Sequence, residues 1–368
     1  MSSKISYILD KIWSLNSIAG WVTWKEDVTT ALRMSGFGNL LKGKRDAESE
    51  TSDGLDAESQ KPNHQGPARG DQVATQQHCV PAMATPQQKN SNVRLLYCGF
   101  DVDEPDDSHY RFLVDGRHVK YVTIAPGVFG GIKMGERVGE PLVLGKILPP
   151  FPVGDWNDGH VAKDPVTGKA TFIRTEKVQF PEVKSVWHNV KLNELDFSPH
   201  PGGRMREGVH VVTHPTVNGG EPVLMKLTVW PLENEMYYME LETAAYQWIC
   251  DTGIGPKFLG HVTEGPNGRI IGFVTEWLDG TRSAEPRDLD GCKKALARLH
   301  QLGIKHGDIN KYNFLVREGE GHEDEVVLID FESARRDRPH VELEDEMKAL
   351  KNSLESTDPR GGPGVVLE

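Results

Sequence analysis

Asp308, Asn313 and Asp330 are the residues whose types and spacing best suit chemistry. They stand in His306-Gly307-Asp308-Ile309-Asn310-Lys311-Tyr312-Asn313 and, beyond two short apolar strands that flank a polar turn, in Leu328-Ile329-Asp330-Phe331-Glu332. This set suits phosphoryl transfer, which asks little covalent chemistry of a protein; it needs positioned metal ions and an oriented acceptor hydroxyl. Asp308 would take the proton of that hydroxyl. Asn313, an uncharged oxygen ligand, and Asp330, a charged one, would hold Mg²⁺ against the phosphates. A loop ahead of one strand carries Asn313 and the end of the next strand carries Asp330, so both would face one cleft.

At these residues the chain resembles the protein-kinase-like superfamily, and His306-Gly307-Asp308 looks most like the loop of aminoglycoside phosphotransferases and RIO-type kinases. The wider run, with Gly253–Gly260, Gly272–Glu276, Leu299–Gly303 and His306–Leu315, is similar to kinase-like proteins of filamentous fungi. The resemblance implies an α+β, bilobal protein-kinase-like fold with ATP and Mg²⁺ as cofactors. It also implies further site residues. Val223-Leu224-Met225-Lys226 is an apolar strand ending in the lysine that would bind the α- and β-phosphates. Its partner would be a glutamate on the next helix, Glu242 or Glu240. Glu242 is favoured because Tyr246 and Ile249 share its face. Phe273–Gly280 reads as a strand entering a hinge, with Thr275 as gatekeeper and backbone groups of Glu276 and Leu278 turned to adenine.

The departures from that pattern are specific. In place of a GxGxxG loop stands Ser198-Pro199-His200-Pro201-Gly202-Gly203-Arg204-Met205-Arg206-Glu207-Gly208. Gly203 and Gly208 would allow close approach to phosphate, but Pro199 and Pro201 remove amide donors, and a plain Pro-Gly turn reads equally well. Asn310 stands where a lysine is usual, and Lys311 is displaced by one. Glu332 replaces the glycine of the metal motif, and no Ala-Pro-Glu-like motif follows. The resulting minimal C-lobe leaves room for a protein partner to complete it. An active phosphotransferase using an unknown hydroxyl acceptor is therefore the leading expectation, with a nucleotide- or partner-binding pseudokinase as the alternative.

These residues need elements to hold them. Strand-like runs at 192–197, 208–213 and 222–230 lead into a helix at 232–250, a strand at 270–275, a helix at 288–303 and short strands at 314–317 and 326–329. In the helix at 288–303, Asp288 is the expected N-cap, and Leu289, Cys292, Leu296, Leu299 and Leu302 form an apolar stripe. The expected divisions are a kinase-like N-lobe and hinge at 189–280, a minimal C-lobe at 281–345 and a tail at 346–368 that continues one last helix. Ahead of them, 93–188 reads as a β-rich accessory region. Runs at 93–100, 109–116 and 118–125 are joined by an Asp115-Gly116 turn, and 172–174 and 186–190 are candidate short strands. Residues 46–92 are rich in Ser, Gln, Asp, Glu, Pro and Gly, the composition of a disordered linker. Residues 1–45 hold one amphipathic helix with Trp21, Trp24, Val28, Ala31 and Leu32. That pattern, with Gly36 and Leu40-Leu41-x-Gly43, resembles the gag-type segment of Copia-class retrotransposons.

Composition narrows the partners. A net charge of −12 over 368 residues argues against a general nucleic-acid or anionic-membrane partner. No signal peptide and no run of roughly 18 apolar residues is present, and the four cysteines have neither CxxC spacing nor a paired rhythm. The expected setting is cytoplasmic or nuclear. A glycosidase reading fails for want of paired carboxyls in a sugar cleft.

Overall fold

Asp115 and Gly116 both take positive φ, 53° and 67°, which lets the chain reverse tightly between Ser108–Val114 (β2) and His118–Ile124 (β3). The hairpin belongs to a five-stranded sheet completed by Val93–Gly99 (β1), Asp158–Lys163 (β4) and Ala170–Glu176 (β5), in the order β1-β2-β3-β4-β5. Its core, with Tyr110, Phe112, Ile124, Leu148 and Val161 fully buried, is separate from the core of the rest of the chain. The structure is a computed structural model describing residues 89–99, 107–130, 147–319 and 324–358. The amphipathic segment around Trp21 and residues 46–88 of the linker stretch lie outside the described residues. Residues 89–92 form a turn held by Asn90, whose amide donates to Pro149 O (3.2 Å) and accepts from Phe151 N (3.0 Å).

The second sheet carries the order β6-β10-β11-β9-β8-β7. Its strands are Lys191–Asn193 (β6), Ser198–Arg206 (β7), Val209–Thr213 (β8), Val223–Leu227 (β9), Phe258–Thr263 (β10) and Ile270–Glu276 (β11). Helix Glu233–Trp248 (α1) packs on β11 and lies against the turn that follows Asp330. Strand β10 has no counterpart among the expected strands. Gly260 interrupts its pattern because a Cβ there would meet Val190 Cγ1 at 2.9 Å. Val186–Val190, expected as a strand, has no ladder of its own. The Pro-Gly segment expected as a loop or turn is strand β7. It tolerates two prolines because β7 is the sheet's edge and its pairing with β8 is irregular between Pro199 and Arg204.

The remainder contains a small sheet, Arg282–Ser283 (β12), Phe314–Arg317 (β13) and Glu325–Leu328 (β14), and two helices, Leu289–Gln301 (α2) and His340–Glu355 (α3). One core unites this part with the six-stranded sheet, running from Leu192 through Phe273 and Phe331 to Leu354. Cys292, Leu296 and Leu299 are fully buried as the stripe requires, whereas Leu302 is 41% exposed beyond the helix end. Asp288 does not cap α2 with its side chain. Its carboxylate accepts Glu285 N (2.7 Å) and pairs with Arg282 (2.6 Å), closing a preceding 3-10 turn instead. Helix α3, the expected last helix, runs on past 345 through Glu355.

A buried charge network joins the two cores. Arg111 of β2, wholly buried, bonds Glu194 in bidentate fashion (2.8 and 2.7 Å) and reaches Glu264 (3.2 Å). Arg269 of β11's approach bonds Glu264 (2.9 Å) and Tyr121 Oη (2.9 Å). Burial alone would raise the Glu264 carboxyl, but Arg111 and Arg269 outweigh it and hold it below its ordinary range. None of the helices among the described residues is long and apolar enough to cross a membrane.

Candidate active site

Strand β9 alternates Val223, Met225 and Leu227 inward, which leaves Lys226 on the opposite face, 13% exposed. Its ammonium stands 2.5 Å from Glu242 Oε2, 2.7 Å from Asp330 Oδ1 and 3.7 Å from Glu332 Oε2. The contact with Glu242 is an ion pair. Glu242 is buried on α1 beside Tyr246. Burial pushes its carboxyl up to about 7 against the downward pull of Lys226. Glu240 points elsewhere: its carboxylate accepts Lys184 N (2.6 Å) and the Ser185 hydroxyl.

Asp330 follows β14 in the left-handed region, φ 63° and ψ 62°. Short polar side chains tolerate that conformation best. The β13–β14 pairing, Phe314 opposite Leu328, continues as a bond from Ile329 N to Asn313 O (3.0 Å), which brings Asn313 beside the strand that ends in Asp330. Asn313 is 2% exposed, and its amide nitrogen donates to Asp308 O (2.9 Å) and Asp308 Oδ2 (3.2 Å). Both bonds use the amide nitrogen and neither uses the amide oxygen. Asn310 Nδ2 also donates to Asp308 Oδ2 (3.0 Å). Asp308 itself is exposed.

His306 is fully buried behind the loop. Its Nε2 meets Ile329 O at 3.1 Å, and its Nδ1 accepts Asp308 N at 3.3 Å. Burial lowers its pKa, so the ring is neutral, with Nε2–H as donor. Gly307 has φ 82°, and a Cβ there would lie 2.4 Å from Ser333 O, so only glycine fits between the loop and the segment after Asp330. Glu332 Oε completes a group with Glu242 and Asp330 whose oxygens lie within 4.8 Å of one another.

The other expected positions are placed as follows. Thr275 is fully buried and its hydroxyl has no hydrogen-bond partner. Glu276 N donates to Lys257 O (2.9 Å) and Leu278 O accepts the Thr281 hydroxyl (2.8 Å). Neither bond uses Glu276 O or Leu278 N. Gly203 lies within β7, and Gly208 (φ 72°) turns the chain into β8. A Cβ on Gly208 would come within 2.3 Å of Leu227 O, so packing against β9 already requires glycine there. Lys311 Nζ donates to Ser356 O (3.0 Å) just beyond α3.

Glu346 was not legible as a site neighbour. It is 6% exposed on α3 and accepts His306 N (3.0 Å), Gly307 N (2.7 Å) and His300 Nε2 (2.8 Å). The available signal was its place in the stripe Leu343, Glu346, Leu350, Leu354: a carboxylate on the apolar face of an amphipathic helix.

Residues 273–360 match the model of the lipopolysaccharide kinase (Kdo/WaaP) family. The chain is also 34% identical over 96 residues to the probable bifunctional tRNA threonylcarbamoyladenosine biosynthesis protein of Methanothermobacter thermautotrophicus. That stretch covers 25% of this chain and 17% of the relative, so the chain corresponds to only a small part of that protein's length. Over its C-terminal part the chain is thus similar to phosphotransferases of the protein-kinase-like superfamily.

Proposed function

We propose that residues 189–358 catalyse ATP- and Mg²⁺-dependent transfer of a phosphoryl group to a hydroxyl, in a kinase-like fold of two lobes. The observation that carries this reading is the position of Lys226, paired at once with buried Glu242 of α1 and with Asp330 after β14. Three residues distant in sequence meet at one point, and each is of the type that phosphate and metal binding require.

In this reading Lys226, held by Glu242, binds the α- and β-phosphates. Adenine lies against Glu276 O and Leu278 N, just past Thr275 where β11 ends. Asn313 and Asp330 offer hard oxygen donors suited to Mg²⁺, with Glu332 close by. Bound metal would neutralise charge developing on the phosphates. Asp308, steadied by Asn310 and Asn313, orients the acceptor hydroxyl and takes its proton at a carboxylate oxygen. Only residues 331–339 separate Asp330 from α3, too short a segment for the peptide-docking platform of a full protein kinase; a small molecule or an atypical protein site is the acceptor.

The second reading, nucleotide binding without transfer, draws on one feature. Pro199 and Pro201 in β7 remove amides that a phosphate-covering loop would offer. The deciding experiment is Mg²⁺-dependent ATP turnover by the purified chain, with and without cell extract as a source of acceptor. Turnover abolished by chelation supports the enzyme. Binding without turnover in every acceptor pool supports the second reading.

A further inference from the structure

Trp230 stands between strand β9, which carries Lys226, and helix α1, which carries Glu242. Its half-buried side chain is seated on the five-stranded sheet. A Cβ on Gly99, at the end of β1, would lie 3.5 Å from the Trp230 ring. The rings of His109 (β2) and Tyr121 (β3) stand 6.3 and 6.4 Å from it, centroid to centroid. Three strands of that sheet thus hold one indole. From this seat Trp230 Nε1 donates to Glu207 Oε1 at 3.2 Å. Glu207 and Gly208 form the turn between β7 and β8. A second tie, between Tyr97 Oη and His210 Nε2 at 3.2 Å, joins β1 to β8 two residues past that turn.

The turn borders the candidate site. Val209, the first residue of β8, pairs with Lys226, and Leu227 N donates to Gly208 O (2.8 Å). Glu207 is also the one carboxylate in 198–208, the segment that stands where a phosphate-covering loop would be. A carboxylate close to bound phosphates weakens their binding by like-charge repulsion, so its direction matters. The indole N–H is a donor only and sits on a ring that three strands fix, which suits it to holding that carboxylate to one side. We propose that Trp230 is a positioning residue through which the five-stranded sheet fixes the Glu207-Gly208 turn beside Lys226 and keeps the Glu207 carboxylate away from bound nucleotide. The effect on ATP rests on the phosphotransfer reading above; the effect on the turn does not.

The test uses the full chain, with Trp230→Phe, Glu207→Gln and the double variant beside wild type. Phenylalanine keeps an aromatic ring in the seat and removes the N–H donor. Amide hydrogen exchange across 206–211 should quicken about 2- to 10-fold in Trp230→Phe, the range for loss of one intramolecular hydrogen bond. Exchange across 158–163 in β4 should stay at the wild-type rate. The KM for MgATP should rise over the same range while kcat stays within about twofold. Adding Glu207→Gln should return KM to near the wild-type value, because the released group then carries no charge, and exchange across 206–211 should stay fast. Wild-type exchange across 206–211 in Trp230→Phe would overturn the proposal. So would equal quickening across 158–163, the sign of general loosening. A double variant with a KM as high as that of Trp230→Phe would overturn it too, since the ring would then act by packing alone. A wild type that neither binds nor turns over ATP removes the phosphotransfer reading, and the exchange comparison then decides the role of Trp230 by itself.

Discussion

Lys226 Nζ lies 2.7 Å from Asp330 Oδ1, so the ammonium of β9 directly bridges the sheet and the loop that follows β14. Three carboxylates, those of Glu242, Asp330 and Glu332, surround that single ammonium. Excess negative charge at a half-buried point favours the arrival of a further cation.

Removing the ammonium should therefore be costly. Lys226→Met leaves Glu242 buried beside two other carboxylates, and breaking a buried pair from one side costs about 3–5 kcal/mol. Urea denaturation should show a loss of that order. Adding Glu242→Gln should recover most of it, because no buried charge then stands unpaired. A double variant as unstable as Lys226→Met would show that the pair is not the source.

The junction between the two cores makes a parallel case. Arg111 is wholly buried and supplies the cation for Glu194 and part of that for Glu264. Arg111→Met should destabilise the chain by about 3–5 kcal/mol, and the five-stranded sheet should unfold together with the rest. Two separate unfolding transitions in wild type would contradict so tight a coupling.

Glu346 gives the stability a pH dependence. Burial alone would raise its carboxyl, but His300 and the Gly307 and His306 amides outweigh it, so the folded pKa lies below the ordinary 4.5. A depressed folded pKa stabilises above the unfolded value, and that contribution is lost as pH falls through the folded one. The Tm advantage of wild type over Glu346→Gln should thus be constant above about pH 4.5 and shrink below it. An advantage that grows in acid would reverse the sign and refute the assignment.

The residues of the candidate site were more legible than the scaffolding around them. A lysine ending an apolar strand, a glutamate one turn before a buried tyrosine and two aspartates around a short hairpin were visible because local pattern fixes their faces. Strand β10 escaped because the demand for Gly260 comes from Val190, a neighbour remote in sequence. Strand β7 read as a loop because its prolines are tolerated only at an edge, and edge position is a property of the whole sheet. Asp288 sits where a cap belongs but spends its carboxylate on Arg282. Glu346 is explained by donors on a loop that only the folded chain brings near.

The separation of binding from transfer tests the central claim most directly. In the proposed reading Asp308 orients the acceptor and hardly touches ATP, whereas Asp330 holds the metal. Measured side by side for wild type, Asp308→Asn and Asp330→Asn, the Mg²⁺-dependent rise in Tm with ATP should survive in Asp308→Asn and weaken in Asp330→Asn. Phosphoryl transfer should fall about 10²–10⁴-fold in Asp308→Asn, the span for loss of a general base. Equal Tm shifts in all three proteins with and without Mg²⁺, and equal transfer by wild type and Asp308→Asn, would contradict the account.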